Sequence, residues 1–188
     1  MPTTMQEATA AIRRMFDSEG WKYDFDADEL AFAISFRLEK TKLSNIRICI
    51  RCKPYRQDPA LCQWISTFAY IPLAADEECR LTVCEYLMRV NYRLSMGNFE
   101  MDFSDGEISF RQTFNVLDGM IGDDALDDLT TLPVSMFEKY GNGLISVMMG
   151  AATPEEALKK AQDENGYRKT GQVNLGWRGA GFSILFAL

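Results

Sequence analysis

The sequence predicts an α+β fold, an antiparallel β-sheet with helices packed on one of its faces. Three observations predict it. Residues 30–38 and 46–53 alternate apolar and polar side chains with a period of two, the pattern of half-buried antiparallel strands. Residues 98–114 repeat that period on either side of an Asp-Gly pair, a strong hairpin signal. Residues 5–19, 76–94 and 123–150 place apolar side chains every three or four positions instead, the spacing of helices that cover a core.

Taken in order, Met5, Ala8, Ile12, Met15 and Phe16 stripe the first helix, and Gly20 is placed to end it. A short strand over 21–25 leads through the "DADE" turn into "LAFAISFRL". There Phe32, Ile34, Phe36 and Leu38 share one face, and Ala31, Ala33, Ser35 and Arg37 share the other. In "IRICIRCK", Ile46, Ile48, Ile50 and Cys52 alternate likewise with Arg47, Cys49, Arg51 and Lys53. A further strand over 62–71 is rich in aromatic and β-branched residues, and Pro54, Pro59 and Pro72 mark strand edges. Asp76 is placed to cap the next helix, Glu77 and Glu78 suit its positive end, and Val83, Leu87, Val90 and Leu94 form its stripe.

Beyond Gly97, a two-residue type I′ turn at Asp105-Gly106 sets the expected register by counting. Phe103 then faces Ile108, Met101 faces Phe110, and Glu100 faces Arg111. Phe99, Met101, Phe103, Ile108, Phe110 and Phe114 fall on the core side. "DDALDDLTTL" (123–132) runs into a second helical segment from Pro133, striped by Met136, Phe137, Tyr140, Leu144, Val147 and Met148. Gly141 and Gly143 are expected to weaken that segment, and Gly150 to stop it. Thr153-Pro154-Glu155-Glu156 has the composition of a capping box opening a last helix. Residues 1–165 are thus expected to form a single domain. Residues 166–188 form a glycine-rich tail that finishes in the apolar, strand-like "FSILFAL".

Charge and composition exclude several function classes. The 27 acidic residues outnumber 20 basic ones, giving a net charge of −7, so a nucleic-acid backbone is repelled unless the cations are segregated. Histidine is absent altogether, which removes Ser-His and Cys-His nucleophile pairs and most catalytic zinc sites. No apolar run approaches the ~20 residues of a membrane span. "MPTTMQEATA" lacks the features of a secretory signal, and five cysteines, an odd count, suit a reducing compartment. A cytoplasmic location is expected.

Four motifs invite chemistry and each has a plainer explanation. Cys49 and Cys52 form a C-x-x-C pair, but on a strand they point to opposite faces with Cα atoms ~10 Å apart, too far for a disulfide. Asp123, Asp124, Asp127 and Asp128 have the i, i+4 spacing of a divalent-metal site, yet they equally suit the positive end of a helix. The glycines after residue 165 lack the G-x-x-x-x-G-K-[ST] pattern and the strand-to-helix context of a phosphate loop. Arg47, Arg51, Lys53 and Arg56 form a basic strip on one strand face. No catalytic residue, metal site, cofactor or small-molecule substrate is inferred from these features. Ten methionines are somewhat many, and thioethers adapt well to protein-binding surfaces.

The stretch "VCEYLMRVNYRLSMGNFEMDFSDGEISFRQTF" (83–114) resembles the YbjN family of bacterial proteins. It has a helix with an Asn-containing end, a Gly ahead of Phe-Glu, then an acidic Asp-Gly hairpin with Ile-x-Phe-Arg. "MMGAATPEEAL" (148–158) is similar to that family's closing helix, and the resemblance spans residues 5–160. It implies a type III secretion chaperone-like fold, often dimeric, and a role in sensory-transduction regulation, with no catalytic set to carry over.

Together these readings lead to a non-enzymatic, chaperone-like or regulatory domain that binds a protein partner or a second copy of itself. The sheet face, a sheet edge or a helical groove would serve, and Trp64, Phe68 and Tyr70 are the candidate contacts. Two alternatives stand beside it: a metal-dependent enzyme using Asp123 and Asp127, and a nucleic-acid-linked regulator using the basic strip 47–56.

Overall fold

The computed structural model describes residues 1–164. The tail over 166–188 therefore lies outside the described residues. The chain begins with α1 (Met5–Ser18), then runs through β1 (Asp24–Asp26), β2 (Ala31–Arg37), β3 (Asn45–Tyr55) and β4 (Asp58–Ala74). A 3-10 turn (Glu77–Cys79) leads into α2 (Arg80–Asn91), followed by β5 (Asn98–Met101), β6 (Glu107–Asn115), α3 (Asp123–Met148) and α4 (Pro154–Glu164). All six strands join one antiparallel sheet in the order β1-β2-β3-β4-β6-β5. The α+β class is the one the sequence predicts.

Period-two alternation divides the sheet into two faces. Phe32 and Ile34, then Ile46, Ile48, Ile50 and Cys52, are buried, whereas Ser35, Arg37, Arg47, Arg51 and Lys53 are exposed. α1 and α3 pack on the inner faces of β3 and β4, α2 packs on β5, and α4 packs on α2 and α3. The resulting core is one continuous cluster, with Phe16, Phe32, Phe110, Phe137 and Tyr86 among its largest fully buried side chains. At roughly 1.5–3 kcal/mol for each large side chain removed from water, this layer drives the fold.

Several local expectations are corrected. The strand expected at 21–25 forms only from Asp24, and the one expected at 62–71 extends in both directions, to 58 and 74. Asp76 makes no side-chain capping bond, and α2 ends at Asn91, leaving Leu94 outside it. The 123–132 and 133–150 segments are one helix with Pro133 inside.

The hairpin register also differs from the count. Met101 pairs with Ile108 and Phe99 with Phe110, two positions away from the expected partners. Residues 102–106 make a wider loop, in which the Gly106 N–H donates to the Asp102 carbonyl at 2.7 Å. The Asp102 carboxylate accepts the Ser104 N–H, and the Asp105 carboxylate accepts the Glu107 N–H. These local bonds outcompete a two-residue turn. Gly106 takes φ +81°, and an added Cβ would lie 2.0 Å from the Ala75 carbonyl oxygen. A shift by two residues keeps side-chain parity, so the core face is as expected apart from Phe103, which is exposed in the loop.

Candidate functional site

Among the described residues no helix covers the other face of the sheet, and its centre has a specific composition. Trp64, Phe68 and Tyr70 line the outward side of β4, each half-buried, and the rings of Phe68 and Tyr70 stack with centroids 6.5 Å apart. The strand register gives each aromatic a cation as its direct cross-strand neighbour. Lys53 of β3 lies opposite Trp64, Arg47 of β3 lies opposite Tyr70, and Arg111 of β6 lies opposite Phe68. Arg51 completes the β3 row opposite Ser66. Directly opposed residues on one face have Cβ atoms ~5 Å apart, so cations and rings form one surface.

Carboxylates bound this patch on both sides. Asp24 and Asp26 pair with Ala33 and Ala31, which places them on the outer face at the β1 edge. Glu100 and Glu107 lie on the far side, where Glu100 forms an ion pair with Arg111. Burial, and after it the Glu107 carboxylate, holds the Tyr70 hydroxyl above its ordinary pKa. Among the described residues, Arg47, Arg51 and Lys53 have no ion-pair partner. The face is therefore cationic at the centre and anionic at its margins.

Sequence reasoning named the three aromatics as candidate contacts but missed their pairing with cations. It read Arg111 only as the hairpin partner of Glu100, off the core side, and not as a neighbour of Phe68. That pairing depends on register across β3, β4 and β6, and β3 and β4 slip out of simple register at Pro54. No signal within a single strand carries this information.

The competing candidates separate in space. Cys49 points outward and Cys52 inward, as strand periodicity requires, and all five cysteines are free. Cys52 instead neighbours the Cys62 thiol of β4, and interaction with that thiol, then burial, holds the Cys52 thiol above its ordinary pKa. Asp123, Asp124, Asp127 and Asp128 occupy the first two turns of α3. Burial, then the Glu19 carboxylate, raises the Asp127 pKa, and burial raises that of Asp128. Among the described residues, no group of three or more Cys, Asp or Glu side chains is arranged to hold a metal ion.

Sheet edges offer little to a partner strand. β1 is three residues long and β5 four. On β5, the Asn91 side chain of α2 accepts the Phe99 N–H at 2.8 Å and donates to the Phe99 carbonyl at 2.9 Å, filling one edge position. Short, covered edges of this kind resist strand addition. No helix among the described residues is long and apolar enough to cross a membrane.

Comparison with protein-family models matches residues 9–146 to YbjN, described as "Putative bacterial sensory transduction regulator". The match covers well over half of the chain and takes in every strand of the sheet. Residues 148–158, the second stretch of sequence resemblance, lie beyond it. No curated protein matches the chain.

Proposed function

We propose, since this chain belongs to the YbjN family, that it is a non-enzymatic regulator that holds an acidic, extended segment of a partner protein against the outer face of its sheet. The single observation that carries this reading is the cation opposite each of Trp64, Phe68 and Tyr70. A ring supplies apolar contact at little entropic cost, and the neighbouring cation supplies charge attraction and register. An extended segment repeats its side chains on one side every ~7 Å, close to the 6.5 Å between the Phe68 and Tyr70 rings. Holding a segment extended in this way is chaperone-like, and the family description, a regulator, accords with a task of binding.

A nucleic acid fits this face less well. Its evenly spaced phosphates would run from the central cations onto Asp24 and Asp26 or onto Glu100 and Glu107. A short acidic segment ends before those margins.

The test uses a labelled twelve-residue peptide of alternating Glu and Tyr, titrated into the full chain while anisotropy is followed. Binding that weakens as salt rises is expected. Arg47→Ser combined with Arg51→Ser should reduce affinity by ~10-fold or more, on the order of 1.4 kcal/mol. A Lys22→Ser control should leave it unchanged. Absence of binding at low salt, or equal binding by the double variant, would overturn the reading. Preferential binding of an oligo-dT strand would transfer the face to nucleic acid.

A further inference from the structure

α3 ends at Met148, and Gly150, with φ +64°, turns the chain into α4, which packs back on α3 and α2. The start of α2 stands across this corner, and the three helices line an open groove of about 510 Å³. That is ample room for a large side chain. Val147, Met148 and Met149 line it, the first buried, the second half-buried and the third 76% exposed. Glu78, in the turn ahead of α2, and Glu156 of α4 are its charged residues, and no cation lines it among the described residues. The Glu156 carboxylate is fixed in place by Thr153, whose N–H and hydroxyl donate to Oε2 at 2.9 and 2.8 Å and not to Oε1. The groove is therefore lined by adaptable thioethers and bounded by anions.

The chain itself carries a matching segment. Residues 165–188 hold three cations, Arg168, Lys169 and Arg178, and no acidic side chain, whereas residues 1–164 hold all 27 acidic residues against 17 basic ones. We propose that Trp177 and Arg178 of this segment occupy the groove of the same molecule, the indole on Met148 and Met149 and the guanidinium between Glu78 and Glu156. Reach selects this pair. α4 has 11 residues, so the groove lies ~16 Å back from Glu164. Tyr167 and Arg168, three and four residues beyond Glu164, span at most ~14 Å and fall short. Trp177 and Arg178, thirteen and fourteen residues on, reach it with slack, and the later Phe182 and Phe186 adjoin no cation. Tethering supplies a local concentration on the order of millimolar, so a weak contact is enough to fill the groove. The sheet face, cationic at its centre, repels the same segment. Docking in the groove thus stands or falls apart from the reading of that face.

Carbon-13 magnetic resonance of the methionine methyl groups in the full chain tests this. In the unaltered chain the indole ring current should displace the Met148 and Met149 methyl signals. Trp177→Leu should return both toward the position of a solvent-exposed methionine, while the signals of Met15 and Met88, outside the groove, stay in place. Glu78→Arg should release the segment in the same way, and Glu78→Arg combined with Arg178→Glu should restore it. Cys79 also lines the groove, and its alkylation should be several-fold faster in Trp177→Leu, with Cys84 unchanged as an internal reference. Methyl signals that Trp177→Leu leaves in place overturn the proposal and free the groove for a separate partner. Equal alkylation of Cys79 in the two chains overturns it too, as does failure of the reversed charges to restore docking. Methyl signals that move with protein concentration assign the groove to the tail of a second copy and overturn docking within one molecule.

Discussion

Gly143 lies where α3 meets α2, and the space beside its Cα is taken by the Tyr86 hydroxyl. An added Cβ would stand 2.3 Å from that oxygen, which donates to the Tyr140 carbonyl at 2.8 Å and cannot easily move. Gly143→Ala is therefore expected to destabilise the protein by about 1–3 kcal/mol in chemical denaturation, although alanine is the better helix former by ~1 kcal/mol. A stabilised variant would show that this close approach is not a constraint. Read from sequence alone, Gly141 and Gly143 looked like weak points. Propensity is local and visible there, whereas the contact with Tyr86 is not. The polar residues Thr67 and Gln112 pose the opposite case. They face each other on the inner side of β4 and β6, and among the described residues the Thr67 hydroxyl and both Gln112 amide atoms lack hydrogen-bond partners. Replacing Thr67 with Val should raise stability by ~1 kcal/mol, since it removes an unsatisfied buried group at nearly constant volume. A loss of stability on thermal melting would reveal a partner for the hydroxyl.

At the scale of elements, local patterns were read well where a few adjacent residues decide the outcome. The capping box at α4 is an example. The Glu156 carboxylate accepts the Thr153 N–H at 2.9 Å and its hydroxyl at 2.8 Å, while the Glu156 N–H donates to Thr153 Oγ1. Thr153→Ala should cost about 1 kcal/mol at neutral pH. The bonds from Thr153 hold Glu156 below its ordinary value of 4.5, so the folded state favours its charged form. That contribution is fully present above pH 4.5 and is lost as pH falls through the lower folded-state value. The stability gap between the two proteins should accordingly narrow on acidification by the share of the hydroxyl-to-carboxylate bond, the Glu156 N–H bond to Thr153 Oγ1 remaining, and a gap that is constant down to pH 2 would contradict the assignment. The hairpin was read less well, because Asp102 and Asp105 take the Ser104 and Glu107 amides that the counted turn would have bonded across the strands. Parity survived the error, so the faces were right although the partners were wrong. On α2, the inward stripe of Val83, Leu87 and Val90 was legible.

For the whole molecule, one sheet with a dry side and a wet side organises everything else. The strand order β1-β2-β3-β4-β6-β5 places the aromatic strand β4 between the cations of β3 and Arg111 of β6, with carboxylates at both margins. Trp64, Phe68 and Tyr70 stand an even number of residues apart on one strand, so period-two alternation puts them on a common face. It was not enough to predict what lies beside them, because α2 and β5 intervene in the chain between β4 and its neighbour β6. The most direct test of the account is nuclear magnetic resonance on the isotopically labelled full chain, titrated with the Glu-Tyr peptide. The indole N–H of Trp64 and the side-chain Nε–H groups of Arg47 and Arg51 should shift, while the indole of Trp21, packed against Phe36, should not. Shifts at Trp21 or along α2, with Trp64, Arg47 and Arg51 unmoved, would contradict it.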